Sequence, residues 1–168
     1  MALTREEKIQ RYELIQERKR RILAKKPTYL PNSGQYPVHM DPLPIRVVAA
    51  GNGGGKTALA VQEMIWWATG YNHITKEYSK VPATIIVLLD SPMKVSEVWL
   101  PEIRKWFPVD SEADLAKNGK PYYNEIVFRN GSKVMFMFHE QEDLIFEGIQ
   151  IDYLIADEPF PRRIWIAL

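Results

Sequence analysis

The residues of this chain best suited to ligand binding or catalysis lie in a glycine-rich segment that is followed by lysine and threonine. Residues 50–57 read Ala-Gly-Asn-Gly-Gly-Gly-Lys-Thr, after an apolar run at 45–49 and before a helical pattern at 58–69. A strand, a glycine loop and a helix in that order are typical of a loop that binds phosphate groups. Glycines let the backbone wrap closely around an anion, and the new helix adds the positive end of its dipole. The alternative is a flexible glycine turn, and Ala50 stands where the usual pattern has its first glycine.

Each position of this loop has an expected role in binding a nucleotide and its metal ion. The residues expected around the phosphates are Gly51, Asn52, Gly53, Gly54, Gly55, Lys56 and Thr57. Lys56 would place a cation on the β- and γ-phosphates and assist their chemistry, and the Thr57 hydroxyl would be a ligand for Mg²⁺.

A second candidate segment lies about a hundred residues later, where residues 149–159 read as a buried strand ending in Asp157, Glu158 and Pro159. Acids at the carboxyl end of a buried parallel strand lie where open α/β sheets bind ligands. Asp157 would hold Mg²⁺ through water, and Glu158 would orient and deprotonate an attacking water. An acid at the second position favours a hydrolase over a kinase. Taken alone, an acid pair after a strand is more often a solvated turn, and it is the phosphate loop upstream that favours the functional interpretation.

Composition sets broad limits on the class of protein. The 168 residues have a net charge of +1 and no cysteine, and the three histidines are widely spaced. These features do not favour a disulfide framework or a zinc site. No secretory signal and no apolar run long enough to span a bilayer is evident. Residues 1–26 carry nine Lys or Arg against four Glu, which suits docking on nucleic acid or an acidic partner, or simply a solvated helix.

The pattern along the chain predicts an α/β fold with a mainly parallel sheet and one antiparallel hairpin. Three regions are expected: a basic N-terminal helix at 1–26, a connector at 27–44, and a core at 45–168. Within the core we expect a strand at 45–50, a helix at 57–69 closed by Gly70, and a buried strand at 83–89 ending at Asp90. After these we expect a helix from Ser91 that kinks or restarts at Pro101, a polar loop at 109–124, and a hairpin around Asn130-Gly131.

Three segments resemble the large subunit of tailed-bacteriophage terminases, the ATPase that packages viral DNA. Residues 37–57 are similar to the family's histidine-containing approach to its phosphate loop. The hairpin that ends at Phe138 is similar to an apolar-Asn-Gly-Ser-apolar segment of the family. The family also has a Phe-x-Gly motif followed by an Asp and then by Asp-Glu-Pro. This run is resembled here by residues 146–148, by Asp152 and by residues 157–159, in that order. The resemblance extends from about residue 35 to residue 160.

The resemblance implies an ASCE-type P-loop NTPase fold, with ATP and Mg²⁺ as cofactors. The implied function is the ATPase of a viral DNA-packaging motor, which translocates double-stranded DNA into a procapsid. The implied partners are double-stranded DNA, the small terminase subunit, the portal protein and further copies of the chain in a homo-oligomeric ring. The implied location is the host cytoplasm, with no association with a membrane. The alternatives are another P-loop helicase or translocase, or a nucleotide-binding assembly module without useful turnover.

Some features of the family have no match in this chain. The nuclease domain and the coupling motif that follow the acid-bearing strand in the family are not matched, and the chain ends about ten residues after Glu158. We therefore expect part of a larger protein, without DNA cleavage. Many relatives carry Arg where this chain has Gly53, which leaves the arginine finger unassigned among Arg129, Arg162, Arg163 and a neighbouring subunit.

The connector before the loop is where the resemblance places the adenine base. Relatives use a Gln or an aromatic residue there, so Gln35, Tyr29 and Tyr36 are the candidates. The two tyrosines are equally compatible with packing of the connector onto the core. We expect His39 to be a structural hydrogen-bonding residue rather than a catalyst.

Overall fold

A computed structural model of the chain describes residues 28–139, 149–159 and 162. The predicted helix at 1–26, the Phe146-Glu147-Gly148 segment and Arg163 lie outside the described residues. The described helices are α1 (Gln35–Met40), α2 (Lys56–Thr69), α3 (Leu100–Trp106) and α4 (Val109–Glu112), with a π-helical turn at Val95–Trp99. The strands are β1 (Tyr71–Asn72), β2 (Glu77–Tyr78), β3 (Thr84–Leu89), β4 (Ala113–Ala116), β5 (Glu125–Phe128), β6 (Lys133–Phe138) and β7 (Tyr153–Ala156). None of the helices within these ranges is long and apolar enough to cross a membrane.

The main sheet has five strands in the order β4-β5-β6-β3-β7, and β1 and β2 form a separate antiparallel pair. Strand β3 pairs in parallel with both β6 and β7, whereas β4–β5 and β5–β6 are antiparallel. The α/β class, the flanking helices and the antiparallel hairpin agree with the prediction. The sheet, however, is mixed rather than mainly parallel, since only half of its pairings are parallel.

The core lies mainly on one face of this sheet. Strand β3 is a continuous apolar run with strand neighbours on both sides and is buried on both faces, as such runs usually are. One face of β3 packs against α2, the π-helical turn and α3. The opposite face has a smaller apolar cluster of Ile86, Leu88 and Met137, with Ile149 and Leu154 packed against it. Trp66 is also buried.

The two glycine signals predicted from sequence are confirmed. Helix α2 ends at Gly70, whose φ of 85° lies in the left-handed region and whose N–H caps the Trp66 carbonyl at 2.8 Å. Strands β5 and β6 form the predicted hairpin around Asn130-Gly131. The Asn130 amide also donates to the Ala68 carbonyl at 2.8 Å, which ties this turn to the end of α2.

Two predictions for individual segments are wrong. Residues 45–50 form no strand: Ile45 and Val47 are 68% and 91% exposed, and β7 has only β3 as a described sheet neighbour. An apolar run becomes a buried strand only where another strand pairs with it. Residues 109–124 are not wholly a loop, because α4 and β4 lie within them. Strand β4 has a weak strand sequence, and its pairing with β5 overrides that propensity.

The helix that follows β3 runs on without a break past Pro101, where a kink or a restart was predicted, and its hydrogen bonding changes there. The π-helical turn at Val95–Trp99 passes directly into α3, with Pro101 in the first turn of α3. Proline has no N–H to donate to the carbonyl of the preceding turn. The missing donor of Pro101 explains why the helical hydrogen bonding changes at this point.

Candidate active site

The start of α2 and the end of β7 lie at the same edge of the sheet. The C-terminal end of α2 lies beside the β5–β6 turn, which is also where β6 begins. The first turn of α2, at the other end of the helix, therefore lies near the carboxyl ends of the parallel strands. Lys56 at the start of α2 and Asp157 after β7 both line a cavity of about 150 Å³. The structure therefore brings together the lysine and the acid that the sequence placed a hundred residues apart.

The loop before α2 has the backbone conformation that its glycines allow. Gly53 and Gly55 have φ values of 77° and 78°, in the left-handed region that favours glycine. The Gly54 N–H donates to the Gly51 carbonyl at 3.1 Å. The Lys56 ammonium turns back over the loop and donates to the carbonyls of Ala50 and Gly51 at 2.6 and 3.2 Å. A cation bonded to neutral carbonyls can exchange them for phosphate oxygens, which accept stronger charge-assisted bonds.

Gln35 lies beneath this loop and is 6% exposed. Its carbonyl oxygen accepts from the Asn32 N–H at 2.9 Å, and its amide donates to the Gly55 carbonyl at 2.8 Å. The side chain thus supports the loop at the start of α2. Its predicted contact with adenine stays a prediction. Tyr36 is 50% exposed, whereas Tyr29 is buried between His39, Trp66 and Trp106.

A buried polar network connects the connector, α2 and β7. Glu63 accepts hydrogen bonds at 2.6 Å from His39 Nδ1, 3.0 Å from Arg46 and 3.1 Å from the Tyr153 hydroxyl. His39 Nε2 lies 2.9 Å from the Tyr29 hydroxyl, so both ring nitrogens are satisfied, in agreement with the structural role predicted for His39. Arg46 also donates to the Val38 carbonyl at 2.8 Å. Arg46 therefore anchors the segment before the loop through its side chain rather than through sheet pairing.

The electrostatics of this network follow from burial and pairing. Burial alone would raise the pKa of Glu63, but hydrogen bonds and charge from His39 and Arg46 outweigh it, so the pKa of Glu63 is lowered. Burial likewise opposes the charge of Arg46, yet Glu63 and Tyr153 raise the pKa of that guanidinium. Burial, together with the Glu63 carboxylate, raises the pKa of the Tyr153 hydroxyl. The network is thus built around an ionised Glu63.

The second acid, Glu158, forms an ion pair. Lys94 Nζ lies 3.1 Å from Glu158 Oε1 and 3.0 Å from Asp90 Oδ2. Partial burial would lower the pKa of Lys94, but its hydrogen bonds to the two acids raise it overall. A hydrogen bond from Lys94 lowers the pKa of Asp90. One ammonium therefore joins the carboxyl ends of β3 and β7.

The oxygen donors at the start of α2 and after β7 are of the chemical type that would hold a magnesium ion bound together with a nucleotide. No three His, Asp or Glu side chains converge into a metal site within the ranges that the structure describes. Mg²⁺ does not need such a group, because it commonly binds one or two protein oxygens, waters and the phosphates of its nucleotide. The Thr57 hydroxyl at the first turn of α2 and the Asp157 carboxylate are donors of that type. They could hold Mg·nucleotide but would be a poor site for a metal ion alone.

Of the predicted arginine candidates, Arg129 and Arg162 are not among the described residues that line this cavity, whereas Arg46, which was not a candidate, is. Arg129 follows β5, which runs antiparallel to β6, so it lies at the opposite edge of the sheet from Asp157. It donates to the Ser111 carbonyl at 2.7 Å and lies 3.8 Å from Glu112. Arg162 is exposed.

Sequence reasoning missed three charged residues near the candidate site. Arg46 and Glu63 lie 17 residues apart, and Lys94 and Glu158 lie 64 apart, so no local pattern connects them. The one available signal was the i,i+4 spacing of Asp90 and Lys94.

A scan against protein-family models, and searches of curated proteins and of solved structures, found no match to this chain.

Proposed function

We propose that this chain binds Mg·ATP and hydrolyses it, as the ATPase part of a viral DNA-packaging motor. The observation that supports the enzymatic part is the shared cavity between Lys56, at the end of a glycine loop, and Asp157, at the end of a buried strand. A lysine and an acid that line one cavity beside a helix N-terminus are the residue types that suit a metal-bound polyphosphate. The motor and its partners rest on the resemblance of the quoted segments alone.

In this proposal the chain binds and orients the nucleotide through groups that the fold already positions. The loop N–H groups and the N-terminus of α2 surround the phosphates, and Lys56 leaves its loop carbonyls to bind them. Thr57 and Asp157 hold Mg²⁺, which neutralises charge on the phosphate oxygens when it is bound. Glu158 accepts a proton from the attacking water. Gln35 keeps the loop seated on the connector, next to the expected position of the base.

Two substitutions test binding and hydrolysis separately. Lys56→Ala removes the cation on the phosphates, so we expect weaker ATP binding by calorimetry. Glu158→Gln keeps size and hydrogen bonding but removes the base, so binding should persist while steady-state phosphate release falls by about 10²–10⁴-fold. Lys105→Ala is the matched control, since Lys105 lies on α3, contacts Glu102 at 3.7 Å and the Trp106 ring, and does not line this cavity. Equal ATP affinity in Lys56→Ala and the parent would refute the loop assignment. Undiminished turnover in Glu158→Gln would move the base elsewhere, with Asp90 the next candidate.

The proposed motor predicts that turnover depends on assembly. An arginine finger is worth about 10³–10⁵ in rate, and Gly53 cannot supply one. With Arg129 at the opposite edge of the sheet, a neighbouring subunit is the proposed donor. Turnover per subunit should then rise with protein concentration, in step with oligomer size followed by light scattering, and rise further with double-stranded DNA. Fast hydrolysis by a monomer, independent of concentration, would refute the need for a neighbouring subunit.

A second candidate function is nucleotide binding without useful turnover. The ion pair between Glu158 and Lys94 favours it, because a carboxylate bonded to an ammonium is not free to activate water. Multiple-turnover phosphate release, measured with and without DNA, separates this candidate from the ATPase. Tight Mg·ATP binding with no release above a protein-free blank would support the binding module.

A further inference from the structure

A second, larger cavity lies at the end of β7 opposite to the candidate active site. Its volume is about 570 Å³, within the range of cavities that bind small ligands. Four parts of the chain enclose it: residues 39–46 of the connector, the second half of α2, the β1–β2 pair, and residues 152–153 where β7 begins. Neither Lys56 nor Asp157 lines it, so the proposed ATPase gives this cavity no role.

The charged side chains on the lining of this cavity are mostly acids. Arg46 and Glu63 pair with each other at 3.0 Å. Three further acids on the lining form no ion pair with any described lysine or arginine: Asp41, Glu77 and Asp152. The remaining charged residue on the lining is Lys80, which is exposed. The unpaired charge around the cavity is therefore negative, which disfavours a phosphate-bearing ligand and favours a cation.

Aromatic rings line the same cavity. They belong to Trp66 and Trp67 on α2, Tyr78 on β2, and Tyr153 on β7. Trp67 stacks on Tyr153 with ring centroids 4.8 Å apart, which fixes both rings between α2 and the sheet. The face of an aromatic ring attracts an ammonium or, more often, a guanidinium group. Unpaired acids beside aromatic rings are therefore the combination that suits a cation on an apolar stem.

A buried hydroxyl gives an independent indication of a ligand. Thr75 lies in the turn between β1 and β2 and lines the cavity. Its side-chain oxygen is buried and has no hydrogen-bond partner among the described residues, whereas buried polar side chains usually have one. Ammonium and guanidinium groups donate hydrogen bonds and accept none, so they suit this oxygen as well as the acids.

We propose that this cavity binds an organic cation, a guanidinium or ammonium group on an alkyl stem. The charged head lies among the acids and donates to Thr75, and the apolar stem lies along the aromatic rings. Such a group belongs to a free alkyl amine or to a lysine or arginine side chain of a basic peptide. Binding here needs no nucleotide, so the inference stands apart from the proposed ATPase.

Two ligands that differ in charge but hardly in shape test the proposal on the full chain. N-acetyl-arginine amide has the guanidinium, and N-acetyl-citrulline amide is its neutral analogue. The indole N–H resonances of Trp66 and Trp67 should shift with the arginine compound, which should bind at least about tenfold more tightly than the citrulline compound.

Two further ligands distinguish the sources of the cation. Butylguanidinium and an acetylated Gly-Arg-Gly amide each have one guanidinium group. Tighter binding of the first would support a free alkyl cation as the ligand, and tighter binding of the second would support the side chain of a basic peptide.

Substitutions on the lining locate the binding site. Glu77→Gln should weaken binding of the arginine compound by about two- to fivefold, because it removes one exposed acid. Glu97→Gln is the matched control, since Glu97 is an exposed acid that does not line this cavity. Thr75→Val keeps the shape but removes the hydroxyl, so binding should weaken by about two- to tenfold. Its Tm should not fall, because the hydroxyl has no described partner to lose.

Three results would overturn the proposal. Equal binding of the arginine and citrulline compounds would show that the cavity does not select a cation. Binding of neither compound would show that it is a solvent-filled gap between the connector and the β1–β2 pair. Equal weakening in Glu77→Gln and Glu97→Gln would show attraction to the protein surface in general rather than to this cavity.

Discussion

The buried carboxylate of Glu63 offers the sharpest test of what holds the candidate site together. Its side chain is 6% exposed and accepts hydrogen bonds from His39, Arg46 and Tyr153. Glu63→Gln keeps the size of the side chain but removes its charge, and it leaves Arg46 without its carboxylate. Breaking a buried ion pair costs about 3–5 kcal/mol. Arg46 is 16% exposed and keeps the Val38 carbonyl, so we expect a loss of about 2–3 kcal/mol.

Chemical and thermal unfolding at pH 7 measure this loss. For a chain of this size, 1 kcal/mol corresponds to about 2–4 °C in Tm, so Tm should fall by about 5–10 °C. Glu97→Gln is the control, because Glu97 is an exposed acid in the π-helical turn. A double-mutant cycle with Arg46→Met should show that the two substitutions are coupled by about 1 kcal/mol or more. A free energy of unfolding within about 0.5 kcal/mol of the parent would refute a stabilising network.

The pH dependence of unfolding gives an independent check with a definite sign. The pKa of Glu63 in the folded chain is lowered from its ordinary value of 4.5, so the folded state binds this proton less readily than the unfolded state does. Its stabilisation is fully present above pH 4.5 and is lost as the pH falls through the lower, folded pKa. The difference in stability between the parent and Glu63→Gln should therefore shrink in acid. A difference that stayed constant below pH 4.5 would contradict this account.

Three further predictions follow from single contacts. Gly55→Ala places a Cβ 2.5 Å from the Gln35 amide at a φ of +78°. It should therefore lower the free energy of unfolding by about 1–3 kcal/mol and weaken ATP binding. In Gly51→Ala the new Cβ has no atom within 4 Å, so this control should leave stability unchanged in thermal unfolding. Asn130→Ala removes bonds to the Ala68 carbonyl and the Ser132 N–H and should cost about 1–2 kcal/mol, with nucleotide affinity unchanged. Asp157→Asn should weaken binding of ATP with Mg²⁺ more than binding of ATP with EDTA, and equal effects in the two calorimetric titrations would remove Asp157 from the metal site.

Local signals in the sequence determined those parts of the fold that depend on a few adjacent residues. The helix-forming residues after the glycine loop and Gly70 determined α2, the apolar run at 84–89 determined β3, and Asn130-Gly131 determined the β5–β6 hairpin. Each of these rests on backbone preferences that act within one turn or one strand. The glycine loop and the acid pair were likewise visible as residue types, and their chemical roles stay predictions.

Tertiary structure decided whatever depends on a distant neighbour. The run at 45–50 has the composition of a strand, but it lies exposed because the described sheet does not pair with it. Residues 113–116 have a weak strand sequence but pair with β5. Strand formation needs hydrogen bonds from another segment, so composition alone cannot determine it. The same reason explains the Lys94–Glu158 pair: two charges 64 residues apart become partners only because β3 and β7 lie side by side.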